Sequence, residues 1–419
     1  MDDAVDQKYK NKHFPKVATS KPTKKATTSS ATAAGGPTAK EGAAAAASAA
    51  EQPKSMKVLI QSFAGLSIEP AGPPIEGMPP PPCPISTLPD EILVHILRDV
   101  AIADVGDFVR LAQVCKRLAF LVATEDRIWR RICLGSEFGF GGMHYHWQRQ
   151  ITWEPLGEED LLREATEEEE QAATAAAEAI EQSEDGAESP PLIPLTIPER
   201  TAKHTAESTA TTHAFFKSLY SSSWQRMFRV RPRIRFNGCY ISTVNYIRSG
   251  YQSNQYTWNS PVHIVTYYRY LRFFRDGTCL SLLTTAEPAN VVHHLTRDTV
   301  ALHQGGAQPH LPSAVVQSTL RGRWRLARAA DNPDASLSEV EGDLMVETQG
   351  VGKYIYRLDL SMRSAAGGKA AGGATRNNKL VWRGFYSYDR LTDDWAEFTL
   401  KNDKPFFFSR VRSYGVMGE

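Results

Sequence analysis

The residues with the chemistry of a reactive centre are few and poorly spaced for one. His293-His294 is the best-looking pair for metal or acid–base work. Adjacent side chains point apart on a strand and diverge by about 100° on a helix, so the pair cannot hold one ion alone. His144 and His146 flank Tyr145, but no carboxylate or cysteine at a ligand spacing accompanies them. Cys83, Cys115, Cys133, Cys239 and Cys279 are scattered without a Cys-x-x-Cys pair. No serine sits in a nucleophile elbow, and no phosphate-binding glycine loop precedes a helix. The sequence therefore assigns no catalytic residue, metal site or cofactor, and reads as a non-enzyme. Recognition is better served. Tyr267, Tyr268, Arg269, Tyr270 and Arg272 crowd one short stretch, and Tyr and Arg dominate binding hot spots. The plain alternative is a strand with one face in a core and the other a solvated surface of Arg–aromatic stacks.

Those residues need elements to position them, and the most legible element is Ile85 to Leu134. Pro89 opens a helical run, where its missing N–H costs nothing. Asp90 and Glu91 follow in the first turn, where negative charge suits the helix dipole. Ile92, Leu93, Ile96, Leu97 and Val100 recur at helical spacing as a wide apolar stripe. A second helix is expected from Phe108 to about Leu118, with Leu111, Val114, Cys115 and Leu118 on one face. A third carries Ile128, Trp129 and Ile132. Three helices this short hold more apolar surface than they can bury among themselves, and the surplus asks for a partner.

The order Leu88-Pro89-x-Glu91-Ile92-Leu93, Ile96-Leu97, Leu111, Val114-Cys115-Lys116-Arg117-Leu118 and Trp129 resembles an F-box. The resemblance implies docking on the Skp-type adaptor of a cullin-RING ubiquitin ligase. The expected adaptor-binding residues are Leu88, Pro89, Glu91, Ile92, Leu93, Ile96, Leu97, Leu111, Val114, Cys115, Lys116, Leu118 and Trp129.

The chain has 419 residues and a formal net charge of +1. Near-neutral charge gives no argument for nucleic-acid binding. No apolar stretch approaches the ~20 residues a membrane span needs, and the first residues lack the apolar core of a secretory signal. Dispersed, odd-numbered cysteines suggest reduced thiols, hence the cytoplasm or nucleus. Residues 1–55 are a tail of Lys, Thr, Ser, Ala and Gly, too poor in apolar residues to order. Residues 56–84 form a lead-in ending in the stiff Pro-rich run before the first helix. After the helical module (85–134), a connector at 135–156 carries Tyr145, Trp147 and Trp153, expected to pack between that module and the next folded unit. Residues 157–212 read as an acidic and polar disordered linker, with Thr196 to Thr212 loose.

Order resumes with an amphipathic helix at His213 to Phe228, and the period then changes to two. Strands are expected at Arg233–Asn245, Val262–Phe274, Cys279–Thr285, Leu320–Ala327, Val340–Glu347, Tyr354–Met362, Leu380–Asp389, Trp395–Leu400 and Phe406–Arg412. Arg275-Asp276-Gly277-Thr278 is a tight hairpin turn. Glu287–Leu295 suits a helical turn, and Thr296–Ser318 reads as a long loop. Such a meander removes its edges by closing. The predicted fold is α+β: a small three-helix module, then an antiparallel up-and-down, lipocalin-like β-barrel of about nine strands at 213–415. One face of the Val262–Phe274 strand, with Tyr267, Arg269 and Leu271, or the other, with Tyr268, Tyr270 and Arg272, must point inward, leaving its opposite number at the surface.

Arg231 to Ser242, Thr266 to Phe274 with Asp276-Gly277, Leu282 to Thr285, Gly322-Arg323-Trp324 and Phe385-Tyr386-Ser387-Tyr388 together resemble the family of F-box only protein 9. The resemblance implies a substrate receptor of an SCF-type ligase, reaching cullin and RING subunits through the adaptor and holding an unnamed target on the barrel. Relatives of this kind carry a helical-repeat segment ahead of the F-box where this sequence has low complexity, which leaves the completeness of its N-terminus open. A barrel carrying an apolar small molecule, with the F-box serving turnover, is the alternative. An F-box protein whose adaptor complex never joins a cullin is a third reading.

Overall fold

A computed structural model describes residues 56–68, 83–157, 160, 196–249, 262–304, 309–328, 331, 341–365, 377–415 and 418. The tail at 1–55 and most of the acidic insertion lie outside these residues.

The helices are α1 (Met56–Gln61), α2 (Asp90–Ala103), α3 (Val105–Leu111), α4 (Lys116–Thr124) and α5 (Asp126–Leu134). Pro89, in extended conformation, is the N-cap of α2, with Asp90 and Glu91 in the first turn. Asp104 ends α2 and starts α3, its carboxylate accepting from the Gly106 N–H at 2.6 Å. The second expected helix is in two pieces. Cys115 is extended and its sulfur accepts from the Leu118 N–H, so α4 begins afresh. That break lets Phe108, Leu118 and Leu121 all reach one core around Trp129.

α6 (Ile197–Ser218) corrects the expectation of a loose segment at Thr196–Thr212. Thr196 and Glu199 form a capping box, Pro198 fits the first turn, and Thr212 and Phe215 are buried. The amphipathic helix expected at His213–Phe228 is accordingly the end of α6 followed, after a turn through Ser221 and Ser222 at positive φ, by α7 (Trp224–Val230).

Nine strands follow among the described residues: β1 (Gly238–Ser249), β2 (Val262–Phe273), β3 (Thr278–Thr284), β4 (Leu320–Leu326), β5 (Asp343–Gln349), β6 (Tyr354–Arg363), β7 (Lys379–Asp389), β8 (Asp394–Glu397) and β9 (Phe406–Arg410). All pairings are antiparallel, β1 to β7 meander in order, and β9 closes an eight-stranded barrel between β7 and β1. β8 is the extra strand, paired with the far end of the β7 edge whose near end holds β9. β8 and β9 are thus two halves of one broken strand. Gly277 takes φ of +81° in the β2–β3 turn, as that hairpin requires. At Gly238 any side chain would run into the Ser409 carbonyl and the Phe408 ring, so glycine lets β9 approach.

Leu271, Phe273, Trp324, Leu344, Val346, Leu358, Leu360 and Phe406 fill the barrel and belong to the same core as the helical module. A second core lies outside the barrel wall. There Tyr270, Phe274, Leu280 and Leu282 are covered by α8 (Pro288–Val291), α9 (Arg297–Gln304), a 3-10 turn at Pro312–Val316 and Tyr414. The expected Thr296–Ser318 loop therefore holds a helix and a turn that serve as a lid on the sheet. The expectation that one face of β2 stays at the surface fails for the same reason. Tyr270 and Arg272 are fully buried on the outer face, while Leu271 and Phe273 are fully buried on the inner one.

Candidate functional site

The thirteen expected adaptor residues fall into three sets. Leu93, Leu97, Leu118 and Trp129 are core. The Trp129 indole donates to the Val122 carbonyl at 2.7 Å and packs edge-on against Phe108. Pro89, Glu91, Ile92, Ile96, Val114 and Lys116 are exposed, and Leu88, Leu111 and Cys115 are half-buried. Ile92 keeps 46%, Ile96 42% and Val114 69% of its surface in solvent. Ile85 and Val109 are exposed as well. Neither stood in the expected set, because each sits outside the dense stripe; the surplus of apolar residues in such short helices was the available signal. The turn after α1 adds a further edge to the module, with the Lys116 ammonium 5.9 Å from the Phe63 ring. An Arg117–Asp90 ion pair ties α4 to the start of α2. The helical module thus presents branched apolar side chains on a surface rimmed by charges.

This surface is joined to the barrel through a packed and hydrogen-bonded seam. Trp129 of α5 meets Phe228 of α7 at 5.8 Å between ring centroids. The Cys133 thiol faces the Trp224 carbonyl at 3.3 Å. Arg275, in the β2–β3 turn, donates twice to the Glu137 carbonyl, at 2.9 and 3.2 Å. At the centre of the joint lies Arg231, 1% exposed and paired with Glu341. It donates also to the Thr212 hydroxyl at 2.9 Å and the Tyr145 hydroxyl at 3.1 Å, with Phe140 and Phe215 against its guanidinium. Burial by itself would lower the Arg231 pKa; Tyr145 and Glu341 reverse this, and the net shift is upward.

The connector's Trp147 and Trp153 lie against the barrel. Trp147 lies against Arg323 and Arg325, at 4.3 and 5.1 Å, and the Trp153 indole donates to the Gly322 carbonyl at 3.0 Å. His144 packs on Trp324 and bonds the Arg275 carbonyl, and its burial holds its pKa below the ordinary histidine value. His146 stacks on His204 at 3.5 Å. His293 bonds the Ser413 hydroxyl at 2.9 Å. No group of three or more metal-ligating residues occurs among the described residues. Burial pushes the Cys133 and Cys239 thiols up to about 12 and raises Cys279 further; such thiols are poor nucleophiles. A cleft of about 1300 Å³ is lined by the connector and α6 around the His146–His204 stack, with His144, Trp147, Arg149, Arg200 and Thr205 on its walls.

The five residues expected to bind a target are scattered by the fold. Arg269 points into the barrel, ion-paired with Asp403 at 3.5 Å and stacked on Trp382 and Phe385. Arg272 is buried under the outer lid, donating to the carbonyls of Leu295 and Gly418 and lying 3.5 Å from the Tyr414 ring. Tyr270 donates to the Ala286 carbonyl beneath the same lid. Tyr267 is exposed and Tyr268 half-buried, and Arg269 keeps a small share of its surface.

Two family models match this chain. An F-box-like model covers residues 85–135, the helical module, and a model of the F-box only protein C-terminal region covers 213–371. This chain is an F-box protein. It is similar to the F-box protein pof7 of Schizosaccharomyces pombe, at 30% identity over 48% of each chain. The F-box protein HRT3 of Saccharomyces cerevisiae is 32% identical over 48% of this chain and 49% of its own length. The chain spans about half the length of the curated relatives it matches. No solved structure gives a significant match. No helix among the described residues of this F-box protein is long and apolar enough to cross a membrane.

Proposed function

We propose that the chain is the non-catalytic target-binding subunit of an SCF-type ubiquitin ligase. The F-box docks on a Skp-type adaptor, and through it on cullin and RING subunits, while the barrel carries the target. The observation that supports this most is the exposure of Ile92 and Ile96 on α2, and of Val114 in the turn before α4, on a module whose other stripe is fully buried. An apolar helix face left uncovered among the described residues is the form that helix-in-groove recognition takes. The joint through Arg231 fixes the barrel relative to that face, so a target would be held at a set place beside the ligase, and proximity supplies the rate. Carriage of a small apolar ligand is the weaker reading, because Tyr240, Phe273, Trp324 and Phe406, each fully buried, occupy the barrel interior. The described cysteines are all free thiols, in keeping with action in the cytoplasm or nucleus. The test is affinity purification of wild type and of Ile92→Asp with Ile96→Asp. Wild type should recover adaptor and cullin, and the variant should recover neither while its barrel stays folded. Equal recovery would end the proposal.

A further inference from the structure

Among the described residues, the seam that closes the barrel is laddered only toward the F-box end. β1 pairs with β9 only from Gly238 to Ile241, with one more bridge between Val244 and Asp403. β8 pairs with β7 on one side, and among the described residues no strand pairs with its other side. All four β8 residues are exposed. An unpaired strand edge is a template for another strand.

The hydrogen-bond register says which residues offer that edge. The Phe398 N–H donates to the Phe385 carbonyl at 2.8 Å. Bonded and non-bonded pairs alternate along antiparallel strands. Ser387–Ala396 is then a bonded pair, and Tyr386–Glu397 and Tyr388–Trp395 are non-bonded ones. Trp395 and Glu397 therefore turn both backbone groups outward, to the open edge. Their side chains stand on the outer face of the sheet, opposite Tyr388 and Tyr386, with the Tyr388 and Trp395 rings 4.9 Å apart.

Two cross-strand rows end at these residues. One runs Gln349, Ile355, Tyr388, Trp395 and is apolar and aromatic over its last three places. The other runs Arg323, Glu347, Arg357, Tyr386, Glu397. Its charges alternate in sign and it stops on an acid at the edge, so the next place in the row calls for a cation. Asp389 is already held by Lys353 at 2.5 Å, and Asp393 accepts from the Tyr388 hydroxyl at 2.6 Å. Asp394 and Glu397 make no ion pair among the described residues. Trp395 is 54% exposed and Leu391, in the adjoining turn, 78%. Edge charges repel like edges; beside exposed apolar side chains they also select a partner of opposite charge.

We propose that an extended segment of the target protein adds to β8 as a further strand, placing an apolar or aromatic residue opposite Trp395 and a lysine or arginine two positions away, opposite Glu397. This rests on the reading of the barrel as target carrier.

The probe is a Thr/Val-rich ten-residue peptide with a central Lys-x-Tyr-x-Lys, which meets both rows in either strand direction, titrated against the full chain by fluorescence anisotropy. Wild type should bind it at up to about millimolar peptide. Glu397→Lys should weaken binding about tenfold or more, the scale of a lost charge-assisted contact, and should accept a Glu-x-Tyr-x-Glu peptide instead. Trp395→Thr should weaken binding without changing charge preference. Methylating the peptide nitrogens of Tyr and Lys, which face β8, should abolish binding; methylating the intervening residues should leave it. No binding to wild type, indifference to Glu397→Lys, or indifference to the Tyr and Lys methylations overturns the proposal. So does a concentration-dependent dimer that Glu397→Lys dissolves and peptide does not, since β8 would then pair with a second copy. Adaptor recovery separates the two readings. If Glu397→Lys keeps both adaptor and targets, the edge proposal falls and the ligase reading stands. If wild type recovers no adaptor, the ligase reading falls whatever the peptide does.

Discussion

Replacing Glu341 by Ala should be among the most damaging changes available outside the apolar core. The carboxylate is 8% exposed and faces a guanidinium that is 1% exposed. Removing one member of a buried pair leaves the other charged and unpaired, at a cost of about 3–5 kcal/mol. Arg231 keeps two neutral acceptors, Thr212 and Tyr145, and two aromatic faces. These retain part of the compensation, so the expected loss lies at the lower end, about 3 kcal/mol. Tyr220 also loses its carboxylate partner, which sits 3.3 Å away. The double variant Arg231→Met with Glu341→Leu removes both charges and should recover at least about 1 kcal/mol of that loss, because no buried ion is left uncompensated. Urea unfolding followed by Trp fluorescence measures both variants, and the single changes Arg231→Met and Glu341→Leu complete the cycle that gives the coupling. A Glu341→Ala loss under about 1 kcal/mol, with no recovery in the double variant, would show that the pair does not hold the joint.

Ile92→Asp with Ile96→Asp should alter stability by no more than about 0.5 kcal/mol per site, since both side chains are already exposed, while adaptor recovery is lost; a large drop in melting temperature would mean these residues are core. Tyr270→Ala should cost about 3–5 kcal/mol because the ring lies under the outer lid, whereas Tyr267→Ala should cost far less; equal losses in urea unfolding would contradict the two-core description of β2. His144 has a folded pKa held down by burial, so the folded state favours the neutral ring. Its contribution to stability is then complete above about pH 6.5 and is lost as pH falls from there through the folded value. The urea midpoint of wild type should accordingly drop more between pH 7 and pH 5 than that of His144→Gln, and parallel pH profiles would refute the assignment.

Much of this molecule was local enough to read from the residues in order. The α2 stripe, the Asp276-Gly277 turn and the two-residue period of β2 depend on neighbours within a few positions, and each is where the sequence places it. The F-box likeness lay in the same short-range pattern. The Thr196–Glu199 capping box was equally local, yet the polar composition around it concealed a 22-residue helix whose buried end is fixed by distant partners. Which member of a consecutive pair such as Ile92-Leu93 or Ile96-Leu97 faces outward depends on what packs beneath, and periodicity cannot decide it where two faces are apolar. The two buried faces of β2 have the same cause. The inner one is covered by strands across the barrel, the outer one by a segment that arrives only after β3. Arg231 and Glu341 stand 110 positions apart and acquire meaning only when α6, α7, the connector and the approach to β5 converge. The edge of β8 left open among the described residues likewise exists because one strand breaks in two and the seam with β1 stops short. Sequence order thus determined the elements, through backbone chemistry acting over a turn or two. Tertiary contact alone decided exposure, pairing and the free edge, because each is a property of surfaces brought together from far along the chain.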